Sequence, residues 1–430
     1  MVTAGVSSFE ISPKPGVQLA GYPHCPRPNR GVHDPLYAVA LCLDNGTTRK
    51  VIVTVDLLTI GKQTVARLRS KFDCDITVSA SHTHSGPWAS EPLASEKSEG
   101  IEQNSDYMEF LDQQLEMVVR DACENRFEAE FATGVGTCGA EQGVGGNRRV
   151  RNGISDPAVN VMAVRDKNGC VRAVFLNYAL HPTYLHADNE FVSADYPAYI
   201  RRYLKFAFPD AVFMFAQGAS GNQSSRYHRV AQNFEEAARV GTTLGVEVFH
   251  CINAMSFTDQ LDIEVDIFDV PDMPMKKFPK LEEALKAESE AIAACEKAKS
   301  ADYITMRNAE LDMFGAQNTV SFARMADKEY VSPELPLEVQ LIRLNDTLIV
   351  MVQPELFVEY ALRLKELSGA AKIFVLEVSN GFAPGYLYTP EAGEEGGYEV
   401  GTSMFAHDAA EYLLDRIRVR AEKFKFNQIN

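Results

Sequence analysis

What most constrains the fold of this chain is where its apolar runs stop. VIVTVD (51–56) ends on Asp56, and ITVSAS (76–81) runs into His82-Thr83-His84-Ser85-Gly86-Pro87. VRAVFLNYAL (171–180) gives way to His181-Pro182-Thr183, and AVFMFAQG (211–218) to Ala219-Ser220-Gly221-Asn222-Gln223-Ser224. LIVMVQ (348–353) leads into Pro354-Glu355, and KIFVLEV (372–378) into a glycine-rich stretch. Runs this short and this rich in β-branched residues read as buried strands. Helical spacing falls between them, over 57–70, 107–125, 193–208, 233–252 and 356–368. The alternation predicts an α/β class, with mixed or largely parallel β-sheets flanked by helices. In open sheets of that kind ligands bind beyond the carboxyl ends of the strands, so these polar tips are expected to converge on one cleft.

The remaining organisation is simpler. Residues 276–300 are rich in Ala, Glu and Lys with apolar residues at helical spacing, which predicts a helical insertion over about 270–326. There is no internal repeat or low-complexity linker, so residues 1–430 read as a single large catalytic domain. A net charge of -17 repels phosphate backbones and excludes a nucleic-acid binder as the working reading. No run of about twenty apolar residues is present, so no transmembrane segment is expected. The first residues, MVTAGVSSFEISPKPG, carry no basic start and no apolar core, and on that basis a cytoplasmic location is expected. The eight cysteines form no C-x-x-C pair and read as reduced thiols.

His82 and His84 are the sharpest pair. Two apart in an extended segment, they point to one side and can share a metal, or divide metal and substrate between them. His181 alone reads as a hydrogen-bonded structural histidine, and Glu355 alone as a cap for the helix that follows it. Together, two histidines and a carboxylate with an open position form a donor set suited to catalytic zinc. Zinc lowers the pKa of bound water to about 7. Residues 217–226, QGASGNQSSR, allow three readings: a tight turn, a backbone cradle for an anion, or a serine nucleophile or oxyanion donor. Residues 379–403 form a glycine-marked loop in which Tyr386 and Tyr398 either pack the loop down or serve the site.

These segments together resemble the neutral, non-lysosomal ceramidase family. SASHTHSGPW, NRRVRNGISDP, NYALHPT, VSADYP, FAQGASGNQSS, QPE and GYLYTPEAGEEGGYEVGTS occur in the family's order, and GVSSFEISPKPGVQLAGY is similar to its opening segment. HTHSGP and the tyrosine-bearing loop are the most specific of these. The resemblance implies a zinc amidase that hydrolyses an N-acyl bond, with His82, His181, Glu355 and Tyr386 as metal ligands. It implies that His84 sits beside the metal near the scissile group, that Arg148 helps bind substrate, and that Tyr398 donates to the developing oxyanion. Ser224 matches a proposed nucleophilic serine, although the family's Asp and Pro in that segment are Asn222 and Ser225 here. The resemblance covers the catalytic domain, with no C-terminal immunoglobulin-like domain expected.

The expectation is therefore hydrolysis of an acyl bond at one zinc ion per chain. The partner is a small-molecule acyl amide or a lipid-like substrate, with a role in lipid metabolism, or a smaller and more polar compound than ceramide. A second enzymatic reading is a two-metal hydrolase or esterase on a polar substrate, with Asp56 and Asp195 supplying the second site. A third is a ligand-binding protein without turnover.

Overall fold

Apolar runs that are buried on both faces force the chain to stack in layers. The structure, a computed structural model, describes residues 2–22, 25–89, 105–327, 336–367, 369–383 and 385–426. Residue 368, at the end of the expected 356–368 helix, and residue 384, in the 379–403 loop, lie outside the described residues. The first strands are β1 (Thr3–Glu10), β2 (Tyr37–Asp44), β3 (Arg49–Val55), β4 (Asp75–Ala80) and β5 (Phe127–Thr137). Next come β6 (Gly146–Asn147), β7 (Ala158–Asp166), β8 (Val171–Tyr178), β9 (Val212–Gln217) and β10 (Gln223–Ser224). The last are β11 (Ile263–Val270), β12 (Leu337–Leu344), β13 (Thr347–Met351), β14 (Glu355–Leu356), β15 (Lys372–Leu376) and β16 (Tyr386–Leu387). Among the helices are α1 (Lys62–Arg69), α2 (Ser105–Glu124), α3 (Tyr196–Ala207), α4 (Phe234–Ala254) and α5 (Leu281–Ala298). They continue with α6 (Tyr303–Asp327), α7 (Val358–Lys365), α8 (Pro390–Glu395), α9 (Tyr398–Gly401) and α10 (Ala409–Ala421).

An eight-stranded sheet runs in the order β4-β3-β2-β1-β5-β7-β8-β9. Its β3/β4 and β8/β9 pairs are parallel and its other pairs antiparallel. A four-stranded sheet, β11-β12-β13-β15, is antiparallel except for β13/β15. The sheets are mixed rather than largely parallel, because antiparallel pairs, several of them joined by short turns such as β2/β3, β7/β8 and β12/β13, supply most of the ladders.

The period of two decides the layering. In β3, Val51, Val53 and Val55 face the helices α2, α3 and α4, while Ile52 faces the second sheet. In β13, Ile349 and Met351 face the first sheet, while Leu348 and Val350 pack on α7 and α10. The result is a helix–sheet–sheet–helix sandwich. Residues such as Phe131, Phe175 and Phe374 fill the layer between the sheets. Full burial of a side chain of that size contributes roughly 1.5–3 kcal/mol.

The insertion folds as α5 and α6 packed together, with Ala284 against Val320 and Ala323. It packs on the site-bearing loops through Phe322 and Met404. Gly315 of α6 meets Gly401 of α9 backbone to backbone, where a Cβ on Gly401 would lie 2.8 Å from the Gly315 Cα.

Candidate metal centre and its cavity

The expected convergence of strand ends is observed. Beyond β15 the chain crosses to the ends of both β4 and β9. Ala80 N donates to the Val378 carbonyl, and Glu377 N donates to the Gln217 carbonyl. This closure brings His82 (after β4), His181 (after β8), Ser220 (after β9) and Glu377 (after β15), all buried, together with the partly exposed Glu355 (after β13).

His82 Nε2 and His181 Nε2 lie 3.3 Å apart, with Glu355 Oε2 at 3.5 Å from the first and 3.1 Å from the second. Each ring's other nitrogen faces a backbone carbonyl: His82 Nδ1 donates to Leu58 O at 2.9 Å, and His181 Nδ1 to Ser220 O at 2.8 Å. With Nδ1 carrying the proton, each Nε2 presents a lone pair. Three lone pairs then point at one another, and Glu355 Oε2 is a buried oxygen without a hydrogen-bond partner. Such an arrangement calls for a positive charge at its centre. His82, His84 and His181 also form a group whose candidate ligand atoms all lie within 4.8 Å of one another. The cluster therefore fits a metal ion, with His82 and His181 common to both possible donor sets.

The electrostatics agree with that need. Burial works against the imidazolium of His82, and the Glu355 carboxylate overcomes it and raises the pKa. Burial, with the nearby charge of Arg148, lowers His181 to about 4. Burial opposes the charge on Glu355, but His82 and His181 hold it well below the usual carboxylate range. Burial also pushes Glu377 up to about 8, with the Glu355 charge adding to the effect.

The two histidines do not share a side by extended geometry. His82 has φ +64°, in the left-handed region that side chains rarely adopt, and the segment after β4 is irregular. This turn lets both imidazoles reach one cluster, with ring centroids 5.1 Å apart. His84 is held by its Nδ1, 3.0 Å from Gly21 O, and its Nε2 is buried without a partner. Gly21 permits that approach, since a Cβ there would sit 2.5 Å from the His84 ring.

Glu355 and Tyr386 are register partners in the parallel β14/β16 ladder, so a two-residue strand pair fixes the two expected ligands side by side. Tyr386 and Tyr398 pack edge to face, centroids 6.1 Å apart, with the Arg148 guanidinium 5.5 and 6.0 Å from the two ring centres. Burial raises Tyr398 to about 12 and also raises Tyr386. Arg148 Nε donates to Glu399 Oε1 at 2.8 Å, leaving Nη2 buried and unpartnered. Burial works against the Arg148 charge, and Glu399 more than offsets it.

A cavity of about 420 Å³ adjoins the cluster at His181, and its walls include His84, Arg148, Ser224, Tyr386 and Tyr398. Ser224 Oγ accepts from Arg226 N at 3.1 Å, and no imidazole or carboxylate bonds to it among the described residues. Asp56 is paired with Arg201 and accepts from Tyr37 N. Asp195 caps α3 and accepts from the Leu185 and Tyr196 amides. Neither aspartate is in the histidine group, so the two acids suggested for a second metal are committed to structural bonds.

Sequence reasoning missed several contributors. Gln217, Ser220 and Glu377 form a buried chain: Gln217 Nε2 donates to Ser220 Oγ at 2.7 Å, and Ser220 Oγ donates to Glu377 Oε1 at 2.6 Å. Glu377 Oε2 accepts from Leu356 N at 2.7 Å, tying the chain to the Glu355 strand. Glu377 breaks the apolar run KIFVLEV, as Asp56 ends VIVTVD, and that was its signal. His186, Arg226, Arg229 and the α6 residues Arg307, Asn308 and Phe314 also line the cavity. The insertion is thus a wall of the site as well as scaffold.

No known family model matches the sequence, and no curated protein matches it. Solved structures do. A crystal structure of neutral ceramidase from Pseudomonas aeruginosa aligns over 99% of this chain and 75% of its own, with a TM-score of 0.74 at 17% identity. A structure of ceramidase complexed with C2 aligns over 99% and 76%, with a TM-score of 0.73 at 16% identity. The likeness bears out the family resemblance at the level of architecture: this chain has the neutral ceramidase fold.

Proposed function

We propose that the cavity is the active site of a zinc-dependent amidase that hydrolyses an N-acyl bond. The observation that carries this reading is the meeting of His82 Nε2, His181 Nε2 and Glu355 Oε2, with both Nδ1 protons given to backbone carbonyls. The solved structures of like fold, which are ceramidases by title, support an amide as the bond cleaved. His82, His181 and Glu355 would hold the ion, with Tyr386 as fourth ligand. Bound there, zinc would polarise the scissile carbonyl and activate the attacking water.

The chain's own groups supply the rest. Arg148 offers an unspent guanidinium N–H, and Tyr398 a phenol that burial keeps protonated; both can donate to the oxyanion as it forms. Burial and the neighbouring histidines keep His84 neutral, with its free Nε2 able to accept a proton from the nucleophile and return it to the leaving amine. The hydrogen bond that Ser224 Oγ accepts from the Arg226 backbone N–H, with no base beside it among the described residues, favours Ser224 as a wall residue rather than a nucleophile.

The test is metal stoichiometry together with turnover. Purified protein is expected to hold one zinc per chain, to lose hydrolysis of an N-acyl amide panel on chelation, and to regain it with zinc. His82→Ala and Glu355→Ala should abolish both metal retention and turnover. Chelated protein with undiminished amidase activity, or one that folds but never binds zinc, would end the reading.

A further inference from the structure

The cavity wall contradicts the charge of the molecule around it. The chain carries -17 overall, yet five arginines line this one cavity: Arg148, Arg149, Arg226, Arg229 and Arg307. Among the described residues, the acids that face them are Asp312, Glu395 and Glu399. Glu399 is taken by Arg148 and Arg149, and Glu395 by Arg149. The third acid, Asp312, forms no ion pair with any described residue, and burial raises its pKa.

The other three arginines stand on two facing elements, the loop after β10 and helix α6. Arg226 has no carboxylate within ion-pair distance among the described residues. Its Nη2 donates to the neutral Asn308 Oδ1 at 2.8 Å, which bridges the loop to α6. Arg229 Nη1 donates to Ser225 Oγ at 3.2 Å, and Arg307 pairs with Glu310. His186 lies among them; burial and the charges of Arg307 and Arg229 lower it to about 4, so it adds a neutral hydrogen-bonding group. Among the described residues, the aliphatic and phenyl side chains on this wall are Leu311 and Phe314 of α6, with Tyr22 beside them. A long-chain ceramide needs an extended apolar channel. The Arg226 guanidinium, with no acid beside it among the described residues and in a cavity of about 420 Å³, suits carboxylate or phosphate oxygens instead.

We infer that the substrate is a compact N-acyl compound bearing an anionic group, carboxylate or phosphate, which docks on Arg226 and Arg307 while its amide lies at the histidine cluster. This rests on the amidase reading and narrows it. The helical insertion then sets specificity through Arg307 and through the Asn308 contact that positions Arg226.

The full metal-loaded chain should be assayed on matched amides: an N-acyl amino acid with a free carboxylate, its neutral carboxamide counterpart, and an N-acyl ethanolamine phosphate. At least one anionic member should exceed the neutral one in kcat/KM by about ten- to hundredfold. Whichever anion leads identifies the group. Arg226→Glu should collapse or invert that ratio, and Arg226→Gln should lower it in part if the charge-reversed chain folds poorly. A ratio near one in the wild-type protein, or one unmoved by both variants, overturns the inference.

A second readout needs no turnover. Inorganic phosphate and acetate should raise the thermal midpoint of the wild-type chain more than that of Arg226→Glu, at equal ionic strength in chloride. Variant-sensitive anion binding without any amide hydrolysis would sink the amidase reading and leave the anion site standing. Hydrolysis with no charge preference would do the reverse.

Discussion

His181 is fixed twice by one residue, since its Nδ1 lies 2.8 Å from the Ser220 carbonyl and 3.0 Å from the Ser220 hydroxyl. The hydroxyl is itself held by Gln217 and Glu377, so ring orientation is set by a buried chain that does not border the cavity. Groups of this kind tune metal affinity by roughly 10–100-fold. Ser220→Ala keeps the carbonyl and removes the hydroxyl, so zinc affinity, measured by competition with a chromogenic chelator, should fall by about tenfold with the fold intact. Unchanged affinity would leave the chain without a positioning role. Ser224 differs, because among the described residues its hydroxyl bonds to an amide of its own loop. Ser224→Ala should cost less than about tenfold in kcat, against the several orders of magnitude expected of a covalent nucleophile. The matching signal in the sequence was the same for both serines; what separates them is the neighbour of each hydroxyl, which no spacing reveals.

At the scale of elements, α6 reaches the site because two glycines let it touch α9. A Cβ on Gly401 would lie 2.8 Å from the Gly315 Cα, too close for the backbones to stay in place. Gly401→Ala should therefore push α6 away from Tyr398 and Arg307 from the cavity. The expected result is a rise in KM of several-fold or more and a lower thermal midpoint, while zinc content holds because the histidines stand on other elements. Loss of zinc with KM unchanged would place the damage elsewhere. This contact marks the limit of the sequence reading. Strands β3, β4, β8, β9, β13 and β15 were legible because uninterrupted β-branched runs have few other uses. Strands β5 and β11 were not, because β5 (FEAEFATGVGT) carries glycines and exposed acids and β11 (IEVDIFDV) alternates with acids on its open face. The strand-end histidines and Glu355 could be singled out from their places after such runs. Arg307 could not, since in a Lys- and Glu-rich helix its position over a cavity depends on packing between residues far apart in the chain. Nor could the left-handed turn at His82, where an extended backbone was the simpler expectation.

For the whole molecule, two buried groups tie stability to pH with opposite signs. Burial raises Asp195 from 3.8 to about 7, since the amides of Leu185 and Tyr196 offset only part of the lost hydration. Burial lowers Lys50 from 10.5 to about 8, despite its bond of 2.8 Å to Asp75. The folded state holds the Asp195 proton more tightly than the unfolded chain does. Its contribution is therefore complete below about pH 4 and is lost as pH rises through about 7. For Lys50 the unfolded chain holds the proton better, so stability is regained only as pH climbs from about 8 toward 10.5. Carboxylates depressed by arginine, such as Glu236 and Glu411, contribute above their unfolded pKa and give a flat background from pH 5 to 8. Buried Glu377 and the lowered His181 and His186 add slopes of their own in that window, but they cancel when an Asp195 variant is compared with the wild type, which isolates the Asp195 contribution. Asp195→Asn keeps an oxygen to cap α3 and cannot ionise, so it removes that contribution. The midpoint of the variant minus that of the wild type should move in the variant's favour between pH 5 and pH 8. A difference that stays constant across the window would mean that Asp195 is already ionised in the folded state at pH 5, stabilised by the amides at the start of α3 more strongly than its burial penalises it.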